Sequence, residues 1–172
     1  MSIHSFQNMI SFAKEGNCMW DRYRHESKQT ICIIGVLILS AKLCRADGHF
    51  SEREEEEILK IVPHEPHQKR VLIRILEEAY NDANPIEHDA KNLKALLEDE
   101  HPEFLEFIVA ALYKLAHTDH VYSEAEDEDI RSVASIFGIT KGFFDQTEDI
   151  IKKYFVKASS LLKIKKKENV NA

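Results

Sequence analysis

A chain of 172 residues with 44% hydrophobic and 31% charged side chains can bury one core but is short for two ordinary domains, and it is too apolar to stay disordered. Five glycines and four prolines favour long helices over short strands joined by turns. The net charge of −7 argues against duplex nucleic acid as a main partner, because phosphate neutralisation needs clustered bases.

The charge is unevenly placed. Glu52–Glu57 holds five glutamates around one arginine, Asp119–Asp129 holds six acids and no lysine or arginine, and from Ile150 onward seven lysines face one glutamate. That basic tail reads first as solvated, with an anionic surface as the alternative.

An amphipathic segment near Ile3–Tyr23 opens the chain with Phe6, Ile10, Phe12, Met19 and Trp20, and Gly16 is placed to break it. His4, Gln7 and Lys14 interrupt any secretory apolar run. The next predicted helix spans roughly Gln29–Ala46. Its stretch Ile31–Ala41, stopped by Lys42 and Arg45, is about half of what a bilayer span requires. It therefore reads as a central core helix, with Ile34, Leu37, Ile38 and Ala41 inside. Gly48 is placed to end it, and Ser51 opens a helix running to Val62. Val71, Leu72, Ile75, Leu76 and Ala79 predict a helix within 64–82. Asn84-Pro85 and His101-Pro102 open helices over Ile86–Asp99 and Glu103–Thr118. Ser123 starts another, Gly138 ends it, and Thr140 caps a last helix that fades into the tail. No segment alternates with period two, so the expected class is all-α with about seven helices.

The three cysteines, Cys18, Cys32 and Cys44, lack metal or redox spacing. Two fall in the apolar helix, so buried thiols in a reducing, cytoplasmic setting are expected.

One fragment is written twice. KLCRADGHFSEREEEEI at Lys42–Ile58 and KLAHTDHVYSEAEDEDI at Lys114–Ile130 stand 72 positions apart, with Lys, Leu, Asp, Ser, three Glu and Ile in register. In each copy a helix ends at an Asp, a short turn follows, and an acidic helix begins. Two pseudo-repeated helix-turn-helix halves are expected.

Two readings of the fragment stand side by side. In the first it only makes turns. Ser51-x-x-Glu54 and Ser123-x-x-Glu126 are capping boxes, the acids behind them favour the helix N-terminus, and Phe50 and Tyr122 act as staples or enter the core. In the second it is half of a metal site. Asp47-Gly48-x5-Glu54 has the spacing of the second half of a calcium loop, but Leu43 and Arg45, or Leu115 and His117, occupy the earlier ligand positions, so neither copy is an EF-hand. Two facing halves could still pool Asp47, Glu54, Asp119 and Glu126 around one divalent cation such as Ca, Mg or Mn. His117-x-x-His120 and His64-x-x-His67 lack the further ligands zinc requires, and exposed loop histidines are the simpler reading. The chain holds no phosphate loop, nucleophile elbow or Cys–base pair, so no enzyme is expected.

ILSAKLCRADGHFSEREEEEI, with LYKLAHTDHVYSEAEDEDIRSVASIFGIT after a variable middle, resembles the TerB-like helical domain of tellurite-resistance proteins and of DjlA-type J-domain co-chaperones. The likeness covers roughly Thr30–Asp145, and Gly35–Asp47 with the FGIT ending is nearest in wording to the DjlA branch. It implies a bundle of about seven helices, with divalent cations held by Asp47, Glu54, Asp119 and Glu126. His120 departs from the family's glycine and loosens the second half-site. The expected division is an N-terminal helical extension at 1–28, the TerB-like domain at 29–148 and a basic tail or linker at 149–172. The chain contains no His-Pro-Asp tripeptide, so stimulation of an Hsp70 ATPase would need a J domain beyond these residues. A membrane anchor like that of some relatives is not expected. The resemblance thus implies a non-catalytic interaction module of a DjlA-like co-chaperone, with protein partners that include the Hsp70 system and a possible dimer. The alternative is a metal-binding stress protein like the tellurite-resistance branch.

Overall fold

The computed structural model of the chain describes residues 19–45, 50–62, 64–97, 102–118 and 123–139. Among them are six α-helices, which we number α1 Lys28–Arg45, α2 Glu52–Ile61, α3 Lys69–Asn81, α4 Ile86–Leu97, α5 Pro102–Thr118 and α6 Glu124–Ile136. Short 3₁₀ turns occupy Met19–Arg22 and Pro66–Gln68. No strand occurs among the described residues, and the all-α expectation holds. The last expected helix, after Thr140, and the lysine-rich tail lie outside the described residues.

Helix α1 is the axis of the bundle because it is apolar on nearly every side. Ser27 starts it: its hydroxyl accepts the Thr30 amide at 3.2 Å and its carbonyl the Ile31 amide at 2.9 Å. Ile31, Ile34, Leu37, Ile38, Leu39 and Ala41 are all fully buried, so every other described helix packs against it. At Gly35 the neighbouring helices come close. A Cβ there would lie 2.7 Å from Leu93 Cδ2 and 3.4 Å from Ile108 Cδ1, so glycine lets α4 and α5 press directly onto α1.

The two halves interlock. α1 packs on α5, α2 also reaches α5, and α6 also reaches α1. Each acidic helix therefore touches the central helix of the opposite half. Gly138 ends α6 as expected. With φ of 74° it lets the Ile139 amide reach Ala134 O at 2.9 Å while its own amide bonds Ser135 O at 3.1 Å, a Schellman closure.

Two boundaries differ from expectation. The expected helix within 64–82 starts as a 3₁₀ turn, because Pro66 follows a Glu65 amide that bonds Gln68 Oε1 at 2.9 Å; α3 begins only at Lys69. The amphipathic N-terminal segment is described from Met19 only. There it forms a short turn with Met19, Trp20 and Tyr23 buried, the two rings edge to face at 6.1 Å. Residues expected to form an extension thus supply part of the core. Among the described residues no helix is long and apolar enough to cross a membrane.

Candidate functional site

The repeated fragment builds the same local device twice. At α2 the Ser51 hydroxyl accepts the Glu54 amide at 3.2 Å, and Glu54 Oε2 accepts the Ser51 amide at 2.7 Å, a complete capping box. At α6 the Ser123 hydroxyl accepts the Glu126 amide at 3.1 Å and meets Glu126 Oε1 at 3.3 Å. Loss of either hydroxyl removes a partner from a first-turn amide. We expect Ser51→Ala and Ser123→Ala each to cost about 0.5–2 kcal/mol. Neutral results for both in chemical denaturation would contradict these caps.

Of the residues proposed as cation ligands, Glu54 and Glu126 lie at the third position of their helices, held by those caps. Asp47 and Asp119, and the proposed helix-ending Gly48, lie outside the described residues. Among the described residues no three His, Cys, Asp or Glu side chains converge as a metal-holding group. His64 Nδ1 meets Val62 O at 2.7 Å, and His117 Nδ1 meets Tyr113 O at 2.8 Å while its ring stacks on Tyr113. Phe50, expected to act as a staple or to enter the core, packs against the core and stacks on Tyr80 of α3 with ring centroids 5.3 Å apart. It ties the start of α2 to a neighbouring helix.

Behind the caps the acids are crowded. Glu55 is pushed up from its ordinary range by burial and then by Glu77 of α3 and Glu52, with Lys69 opposing. Asp129 is pushed up to about 6 by burial and then by Glu87 of α4 and Glu128, with Arg45 opposing. The folded state holds the Asp129 proton more tightly than the unfolded chain does, so the favourable contribution is full below the ordinary value of 3.8 and lost as pH rises through about 6. Asp129→Asn should therefore stabilise the protein at pH 7 by less than about 1 kcal/mol, since solvent screens a half-buried group. The gain should fade toward pH 4. Thermal melts at both pH values would check this, and a loss of stability at pH 7 would contradict it.

The strongest polar construction was not anticipated. Lys42 and Arg45, expected only to stop the apolar run, hold the connection between α3 and α4. Lys42 is buried, and its Nζ lies 2.6 Å from Asp82 Oδ2, 2.6 Å from the Asn84 carbonyl and 2.5 Å from Asp89 Oδ2. The last contact is an ion pair by distance, although its angle is not that of a hydrogen bond. Asp89, 1% exposed, also accepts the Trp20 indole N–H at 2.8 Å. Arg45 donates to the carbonyls of Tyr80, Asp82 and Asn84, and so supplies a cation and donors at the α3 C-terminus. Lys28 does the same at the end of α4, with Nζ 2.6 Å from Leu96 O. A signal was present in the sequence. Lys42 follows Ile38 and Leu39 at helical spacing, and Asp89 shares the face of Ile86, Ala90 and Leu93, so both charges sit in core registers.

The all-helical bundle, with its central apolar helix and two capped acidic helices, defines a class of small helical domain. Residues 34–149 match the family model described as tellurite resistance protein TerB, which covers more than half of the chain, and the protein belongs to that family. No curated protein and no solved structure matched the chain.

Proposed function

We propose that this TerB-family domain is a non-catalytic binding module that presents α2 and α6 to a cationic ligand in a stress-response setting. Carboxylate crowding carries the reading: Glu55 and Asp129 are each pushed up by burial together with acids on neighbouring helices. Carboxylates held near like charges lose that penalty when a cation approaches. The ligand is a divalent cation taken by Asp47, Glu54, Asp119 and Glu126. The Ser51 cap uses Oε2 of Glu54, so Oε1 is the oxygen a cation would take there. The family description, tellurite resistance, supports the stress setting. Cys32 and Cys44, both buried, support a reducing, cytoplasmic one.

Calorimetric titration of the full chain with calcium, magnesium, manganese and zinc tests the reading. A stoichiometric heat should appear for at least one ion and vanish in Asp47→Asn/Asp119→Asn. Silence with all four ions would overturn it. A second reading, an interaction module of a DjlA-like co-chaperone acting with the Hsp70 system, is supported by the wording of Gly35–Asp47 and of Phe137–Thr140. Capture of an unfolded model polypeptide by the full chain is its test, because the Hsp70 contact itself would need a J domain, and absence of capture would count against it.

A further inference from the structure

The 3₁₀ turn Met19–Arg22 and the adjoining Tyr23 precede the family match at 34–149 but lie against its helices. Trp20 donates to Asp89 of α4, and Arg22 forms a two-pronged ion pair with Glu78 of α3. Among the described residues, the backbone hydrogen bonds of this stretch are local: Tyr23 N to Trp20 O and Glu26 N to Tyr23 O. Side-chain contacts tie it to the bundle.

On the bundle side of this seam Asp89 takes its cation from α1 and not from the segment. The Lys42 ammonium lies 2.5 Å from Asp89 Oδ2, and Glu78, which would lose the Arg22 guanidinium on opening, is already 30% exposed. The segment side holds a penalty that opening would relieve. The Tyr23 hydroxyl is buried with no hydrogen-bond partner among the described residues, and opening would return it to water. Opposing this, Met19, Trp20 and Tyr23 are buried apolar bodies, which keep the closed form dominant.

We propose that Met19–Tyr23 is a releasable strap that undocks as a unit from α3 and α4 while the six-helix bundle stays folded. Opening rehydrates the Arg22 guanidinium and bares the Glu78 and Asp89 carboxylates. It also uncovers the recess that holds the two aromatic rings. The strap thus behaves as a locally unfolding unit of lower stability than the core.

Trp20 is the only tryptophan, so its fluorescence reports the strap alone, while far-ultraviolet circular dichroism reports the helices. In a urea titration of the full chain, the tryptophan signal should shift to the red at lower urea than the helical signal is lost. Glu78→Gln, which weakens one anchor on the half-exposed side, should lower the fluorescence midpoint and leave the helical midpoint in place. Coincident midpoints in the unmodified protein, or equal movement of both in Glu78→Gln, would overturn the proposal and make the segment an integral part of the core.

Discussion

Lys42→Ala is expected to lower the unfolding free energy by about 3–5 kcal/mol, because it removes the cation from a buried cluster and leaves Asp89 uncompensated. Asp82 is 25% exposed and can turn to water, but Asp89 is 1% exposed and has no such route. The Asn84 carbonyl, 2.6 Å from Nζ, loses a donor at the same time, loosening the connection between α3 and α4. The cause can be separated from lost packing. Lys42→Met with Asp89→Asn removes both charges, keeps an oxygen for the Trp20 indole, and should recover a large part of the loss. Urea denaturation followed by circular dichroism gives both values. A Lys42→Ala cost below about 1 kcal/mol, the range of an exposed pair, would show that the cluster does not hold the fold.

Ile38→Asp should abolish folding. Ile38 is fully buried at the middle of α1, among Ile34, Leu37 and Ala41, and a carboxylate there would have no partner. The substitution combines the loss of a buried aliphatic side chain, about 2–5 kcal/mol for truncation to Ala, with several more for an unpaired buried charge. That sum is comparable to the whole stability of a small domain, about 5–15 kcal/mol. Absence of a cooperative melt is the expected result. A soluble variant with an unchanged melting temperature would refute the position of Ile38 in the core.

These two substitutions differ in how visible their targets were before the fold was known. Ile38 was legible from local pattern. An eleven-residue stretch whose one polar side chain is Ser40 reads, between polar flanks, as a buried helix, and all four residues placed in its core are indeed inaccessible. The caps were legible for the same reason, since Ser51 bonds Glu54 three residues away and Ser123 bonds Glu126 likewise. Gly138 belongs with them, because a left-handed turn after a helix selects glycine within one local stretch.

The partners of Lys42 lie 40 to 47 residues away, and no spacing rule links position 42 to Asp82, Asn84 and Asp89. Its repeat mate Lys114 is exposed, so the same letter in the same register has two fates. Only the α3–α4 connection, lying over the end of α1, separates them. Phe50 shows the same limit, as its ring meets Tyr80 of another helix. Periodicity, capping and turn chemistry act within a few residues, and they determined the helices and their ends. Which charge becomes buried, and which ring meets which, depends on the packing of distant helices, and only the tertiary structure decided those.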